Sequence, residues 1–319
     1  MQFVRNIVAT LCLVFVAVAS AAQESDLDDL FGTLVRRQAE GALAVIGVAA
    51  LPSETASALV FDTGSNPDRA YDFRAGQLGG GFAVSEAFPL YLEGYLGWNR
   101  YDPVLLLSDA GRTSALPLKW TSVAATGGIG YQFALTENLS FRPLVHIVLG
   151  RVQSDISVGA QVIANRLGID TDVARAGGVT AGGGGASLTL AYNRRWENDY
   201  ELDVTLRHTH LELKPIAGNK DLLARADAIT TGLWSRLRIP TGYRAFSRPV
   251  RTVAEFSASY LPGDQGEVLG EDWLFQVGAG GEIDISETWV PWVTTARIMA
   301  RYTRGEQLEG YSLGIAVSF

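Results

Sequence analysis

Strict alternation of apolar and polar residues is the dominant pattern in this chain. In Pro89–Tyr101, Leu92, Leu96 and Trp98 share one face, whereas Glu93 and Asn99 share the other. The segments Asp272–Ser286 and Trp289–Thr303 repeat the pattern, with their charged residues on one side. A period of two residues is typical of β-strands whose two faces meet different surroundings.

Further segments with strand character bring the predicted total to twelve. Nine weaker ones are Gly41–Leu51, Arg69–Val84, Leu118–Leu135, Ser140–Ser154, Val179–Arg195, Asp199–Lys214, Arg225–Ile239, Pro249–Leu261 and Leu308–Phe319. An even number allows both ends of an up-and-down barrel to lie on the same side. Ten strands remain an alternative.

The connections between these segments mostly alternate in length. Ser85–Phe88 and Thr136–Leu139 are short, whereas Pro52–Asp68, Asp102–Pro117 and Asp155–Gly178 are long. Short turns on one side and longer loops on the other are expected of outer-membrane barrels. Pro240–Arg248 is too long for a short turn, which indicates a misplaced strand boundary.

Before the first strand, Asp26–Glu40 has helical periodicity. Its apolar face carries Leu27, Leu30, Phe31 and Leu34, and Arg36 and Arg37 lie near its end. Spacings of three and four residues favour an amphipathic helix. We expect this helix to lie in the lumen as a plug. The alternative is that it lies in the periplasm and binds a partner there.

The two ends carry export and assembly signals. Arg5, an apolar run and small residues around Ala21 predict a signal peptide over residues 1–22. The last strand alternates up to Phe319, with Ser312, Gly314 and Val317 at the spacings of a bacterial outer-membrane assembly signal. The expected organisation is therefore a signal peptide (1–22), a helix (23–40) and an outer-membrane barrel (41–319).

Composition supports lipid as the covering of the apolar faces. Hydrophobic residues make up 47% of the chain, yet no apolar run after the signal reaches the roughly 18 residues of a membrane helix. A soluble β-sandwich would need a second layer, and the sequence offers one convincing helix. Acidic residues outnumber basic ones, 34 to 26, which gives no reason to expect nucleic acid as a partner. The single cysteine, Cys12, lies in the predicted signal, so no disulfide or thiolate site is expected.

If the apolar faces meet lipid, charges of both signs project into the lumen. The predicted pore-lining residues are Glu93, Asp203, Arg207, Arg236, Arg238, Arg251, Glu255, Glu282, Arg297 and Arg301. Opposite charges in so narrow a space are expected to pair with each other or with a plug. The pattern indicates no substrate, cofactor or metal.

The histidines are the residues that could take part in catalysis. His208 and His210 share a face of one strand, which we expect to face lipid near the outer interface, and His146 is expected inward. An outer-rim hydrolase, a lipase, esterase or protease, would need a partner such as Ser235 or Ser257 from another strand. We expect a non-enzymatic barrel and keep the hydrolase as the alternative.

An N-terminal helix, twelve strands and the ending Ser312–Phe319 together resemble an autotransporter translocator domain. Few residues separate the predicted signal from the helix, which leaves no room for a passenger. The chain is therefore most similar to solitary autotransporter-like barrels. The resemblance implies a monomeric barrel, inserted by the outer-membrane barrel assembly machinery and plugged by its own helix. It implies no activity.

Overall fold

The computed structural model describes residues 40–54, 61–62, 71–85, 87–109, 112–156, 178–217, 225–285, 295–306 and 308–318. The predicted signal peptide and the predicted plug-helix residues from Leu27 to Arg37 lie outside these ranges. No helix in the described part of the chain is long and apolar enough to cross a membrane.

Two helices and thirteen strands are found in the described residues. The helices are α1, residues 40–50, and α2, Asp264–Leu269. The strands are β1 Phe61–Asp62, β2 Tyr71–Ala83, β3 Leu90–Asp109, β4 Arg112–Tyr131, β5 Phe133–Ala134, β6 Leu139–Ile156, β7 Val179–Arg195, β8 Glu201–Ala217, β9 Ala226–Ala245, β10 Arg248–Tyr260, β11 Trp273–Asp284, β12 Thr295–Arg304 and β13 Glu309–Ser318.

The strands form a closed antiparallel ring. Neighbours in the chain pair with each other, β5 continues β4 alongside β6, and β1 joins β13 at Asp62 and Tyr311. With β4 and β5 counted as one, the described residues form twelve strands. The predicted all-β, up-and-down barrel is confirmed.

Gly41–Leu51 was predicted to be the first strand, and that prediction is wrong because residues 40–50 are helical. A short apolar run fits a buried strand and a buried helix equally well. Leu43, Val45 and Ile46 are at most 1% exposed, so α1 has no polar face on this stretch to reveal a helical period. The first strand of the ring is instead β1, inside the predicted loop Pro52–Asp68.

Two strand boundaries also differ from the prediction. Strands β3 and β4 continue as a paired hairpin to Asp109 and Arg112, through most of the predicted loop Asp102–Pro117. Strand β9 runs to Ala245, so the misfitting connection Pro240–Arg248 reduces to a two-residue turn. Phe246 and Ser247 both have positive φ, 50° and 65°, as in the type I′ turns that join adjacent strands.

Alternation places the apolar side chains outside the ring. Leu96, Ile147 and Ile298 are 63%, 71% and 52% exposed, while Tyr95, His146 and Arg297 beside them are buried. Aromatic side chains gather near both ends of this surface, as in the pairs Tyr131–Phe133 and Tyr260–Trp273. A closed sheet with a lipid-compatible outer band flanked by aromatic rings is a transmembrane β-barrel of the outer-membrane type.

Candidate functional site: the barrel interior

The interior divides into two halves along the barrel axis. We call the end with the turns 84–89 and 246–247 the turn end, and the end covered by α2 the loop end. Helix α1 lies in the half next to the loop end, the loop half. Most of the buried charge lies in the turn half.

Side chains of the barrel wall bind the last carbonyls of α1. Thr126 Oγ1 donates to Ala50 O at 2.6 Å, and Gln77 Nε2 donates to Leu51 O at 2.7 Å. The final carbonyls of a helix have no partner within it, and buried ones must find partners elsewhere. The wall therefore supplies the C-terminal cap of α1.

A second polar contact lies halfway along α1. Asn99 Nδ2 donates to Val45 O at 2.7 Å, and Ser122 Oγ donates to Asn99 Oδ1 at 2.7 Å. Both side chains are fully buried. This pair fixes α1 against β3 and β4.

Glycines in the wall allow α1 to approach closely. A Cβ added to Gly97 would overlap Ala49 O, and one added to Gly150 would overlap the side chain of Ile46. By contrast, a Cβ on Gly94, on the opposite face of β3, would meet nothing within 4 Å. The absence of a side chain at Gly97 and Gly150 therefore leaves the room that α1 needs.

Apolar side chains complete the loop half. Val45, Phe73, Tyr101, Leu269 and Leu308 form a buried cluster that joins α1, the wall and α2. The hydroxyl of Tyr101 donates to Val268 O in α2 at 2.9 Å. Helix α2 therefore folds inward over the loop end and packs on α1.

The turn half holds a network of ion pairs on β8–β12. This β8–β12 charge cluster comprises five arginines and four acids: Glu201, Asp203, Arg236, Arg238, Arg251, Glu255, Glu282, Arg297 and Arg301. Glu255 accepts hydrogen bonds from Arg236 Nε and Arg301 Nε, both at 2.8 Å. Glu282 receives Arg251 Nη2 at 2.5 Å and lies 3.3 Å from Arg238 Nε. The mutual pairing gives this half a buried polar network.

A smaller polar group surrounds Arg207 on the neighbouring strands. Its guanidinium donates to both carboxylate oxygens of Glu93, at 3.1 and 2.5 Å, and to Ser187 Oγ at 3.2 Å. His146 Nε2 lies 2.8 Å from Ser187 Oγ, and its Nδ1 lies 3.4 Å from Glu93 Oε1. Ser187 also bonds to Thr209 at 2.8 Å. All five side chains are buried.

The ten residues predicted to line the pore are brought together in these two groups. Glu93 and Arg207 form the smaller one, and the other eight belong to the charge cluster. Whether they line a conducting pore stays a prediction. In the predicted assembly signal, Ser312 and Gly314 are buried in β13, whereas the side chains of Val317 and Phe319 lie outside the described part.

Neutral residues of the interior were missed by the sequence analysis. Asn99, Ser122, Thr126 and Gln77 hold α1. Asn99 was placed on the polar face of its strand, but none of the four was among the predicted pore-lining residues. Each one alternates with outward apolar residues in its strand, so the period that exposed Glu93 could have found them. Charge was used as the criterion, and these side chains carry none.

The described structure does not bring together the histidines and serines considered for an outer-rim hydrolase. His208 and His210 are exposed on the outer surface, bonded to Thr231 at 2.8 Å and to Asp227 at 3.3 Å. Ser235 lies four residues beyond the Thr231 that faces His208, which is about 13 Å along the strand. Ser257 faces the interior.

Comparisons with known proteins show a likeness of fold. No family model matches the chain, and no curated protein matches it. Among solved structures, the β domain of the Bordetella autotransporter BrkA is 17% identical, with a TM-score of 0.47 over 82% of this chain and 96% of that one.

Two further structures are similar to the chain. They are the translocator domain of NalP from Neisseria meningitidis (13% identity, TM-score 0.41, 82% and 84% coverage) and the transport unit of AIDA-I from Escherichia coli (13%, 0.43, 78% and 83%). All three are autotransporter barrels. At these identities and TM-scores the likeness concerns the fold alone, and to that extent the predicted resemblance to autotransporter barrels is confirmed.

Proposed function

We propose that the protein is a closed outer-membrane pore whose lumen is blocked by α1 in the loop half and narrowed by the charge cluster in the turn half. Its role is structural or transport-related, and it conducts ions weakly in its resting state. The observation that carries the proposal is the capping of α1 by Thr126 and Gln77, because it makes the helix an integral part of the interior.

The close approach of α1 to the wall supplies the experiment. Valine at position 97 would overlap Ala49 O and displace the helix, so Gly97→Val is expected to raise single-channel conductance in planar bilayers severalfold. Gly94→Val is the matched control, since it lies on the same strand and faces outward. Heat-dependent gel mobility verifies that each variant forms a closed barrel.

Disulfide trapping tests the same contact directly. Ile46→Cys combined with Gly150→Cys places two thiols at a point of close packing, and the lone natural cysteine, Cys12, lies in the predicted signal. We expect the disulfide to form in membranes and to leave conductance unchanged. A wild-type protein that conducts as an open pore, or a pair that stays reduced under oxidant, would contradict the proposal.

The partners follow from the same architecture. We propose that the barrel is a monomer inserted by the outer-membrane barrel assembly machinery. The alternating β13 supports this, because Ser312 and Gly314 face inward while Leu313 and Ile315 are about 60% exposed to lipid. Chemical crosslinking in membranes checks the oligomeric state.

A hydrolase remains the competing function because one observation favours it. Ser187, His146 and Glu93 lie in the order of a serine, base and carboxylate, with 2.8 and 3.4 Å between neighbours. Against it, Ser187 is 1% exposed and also holds Arg207 and Thr209. A fluorophosphonate probe decides: labelling that is lost in Ser187→Ala supports the hydrolase, and its absence supports the closed pore.

A further inference from the structure

Helix α1 and the other described residues leave part of the loop half unfilled. A cavity of about 230 Å³ lies between α1, strand β2 and strands β9–β12, below α2. Val48 and Leu51 of α1 form one side, Leu274 of β11 lies opposite, and Leu261 and Leu269 form the roof. The surface of the walls is mostly apolar, although polar side chains such as Gln77 and Ser257 also line it.

One polar group in this wall lacks a partner among the described residues. Trp234 is 7% exposed, and no described group accepts a hydrogen bond from its indole Nε1. The Arg236 guanidinium lies 4.2 Å from the centre of the ring and holds the ring in place. A buried, unsatisfied N–H is costly, so a ligand oxygen that accepts from it gains affinity.

Charge in the cavity is balanced without a ligand. Arg207 reaches its edge but is paired with Glu93 at 2.5 Å and with Glu54 at 3.5 Å. Gln276 Nε2 already donates to Thr303 Oγ1 at 2.8 Å. An anion would find no unpaired cation among these lining groups, which favours a neutral ligand.

We propose that this cavity is a binding site for a small, neutral, mostly apolar molecule, one ring or a short chain in size, with an oxygen that accepts from Trp234 Nε1. A dry apolar cavity of about 150 Å³ is known to take benzene, so the available volume admits a substituted ring. The proposal rests on the proposed placement of α1 in the lumen, because α1 forms one wall of the site.

The test uses 4-fluoroacetophenone, a ring with one carbonyl, observed by ¹⁹F NMR with the purified full chain in detergent micelles. Saturable binding is expected, with a dissociation constant of about 0.1 to 1 mM for a ligand of this size. Trp234→Phe keeps the ring but removes the donor, and is expected to weaken binding about five- to tenfold. Fluorobenzene lacks the carbonyl and should bind wild type and Trp234→Phe equally.

A variant that fills the cavity distinguishes binding of the ligand at this site from its partition into the detergent micelle. A Cβ on Gly232 would meet its nearest atom, Ser259 Oγ, at 3.6 Å, so Gly232→Leu extends into the cavity without a backbone clash and should abolish saturable binding. Gly281→Leu, where a Cβ meets nothing within 4 Å, is the matched control and should bind like wild type. Equal signals from the two leucine variants would overturn the proposal.

The disulfide-trapped variant Ile46→Cys/Gly150→Cys keeps this result distinct from the test of the pore. If the disulfide forms and the ligand does not bind, the cavity proposal alone fails. If the disulfide does not form, the placement of α1 fails, and the binding site fails with it.

Discussion

The two halves of the barrel interior are filled by different means. In the loop half, a helix and aliphatic side chains occupy the space, and a few neutral groups such as Asn99 and Thr126 tie the helix down. In the turn half, five arginines and four acids project inward and pair with one another. The same strands line both halves. Alternation therefore decides which side chains point inward, whereas their chemistry is set separately along the length of each strand.

The largest effect is expected from breaking the charge cluster. Glu282 has a fully buried carboxylate that faces Arg238, Arg251 and Arg297. Glu282→Gln leaves three guanidinium groups without this partner in a medium of low dielectric constant, and should lower the free energy of unfolding by about 3 to 5 kcal/mol. Urea titration in micelles measures it.

A surface pair at the same end of the barrel serves as the control. Asp199 bonds to Arg195 at 2.8 Å, with both side chains 64% exposed. Because water screens this pair, Asp199→Asn should cost less than about 0.5 kcal/mol. Similar losses in the two variants would mean that the cluster is hydrated in the folded protein.

In the loop half, the apolar cluster gives the next largest effect. Leu269 is 3% exposed and packs with Val45 and Phe73. Leu269→Ala opens a cavity and should cost about 2 to 4 kcal/mol. It should also speed protease cleavage within residues 261–272, because α2 loses its anchor. Leu78→Ala, on the lipid face, should lose less stability and leave the cleavage rate unchanged.

The cap of α1 is expected to contribute less. Thr126→Val keeps the shape of the side chain but leaves Ala50 O without its donor, which should cost about 1 to 2 kcal/mol. Because the helix end loosens, conductance should rise slightly. Thr252→Val on the outer surface is the control, and a loss of the same size there would point to a general effect of threonine removal.

The smallest effect should be a gain at the turn end. Phe246 and Ser247 adopt positive φ, which asparagine and glycine accept with less strain. Phe246→Asn together with Ser247→Gly should therefore stabilise the barrel by about 0.5 to 1 kcal/mol. Thermal loss of the folded gel band gives the measurement. Unchanged stability would show that the hairpin frays before the barrel unfolds.

The sequence predicted the wall far better than the contents of the barrel. Even Val179–Arg195, one of the weaker segments, is a strand with the predicted bounds, because alternation resumes in its second half. The segment around Val45 was misread because burial on all sides removes the periodicity that identifies a helix. Alternation places Asn99 and Thr126 on the inward face, but their contacts depend on the position of α1, which no pattern within β3 or β4 encodes.

The seam between β1 and β13 constrains the order of assembly in the membrane. Ten residues separate α1 from β1, and β1 pairs with the last strand of the chain. If the helix entered a closed ring through the loop end, its unpaired terminal carbonyl groups would have to pass the aliphatic residues there. This barrier is avoided if the helix is already in place when the first strand pairs with the last. Biogenesis of this protein is thus expected to end, not begin, with the joining of its two terminal strands.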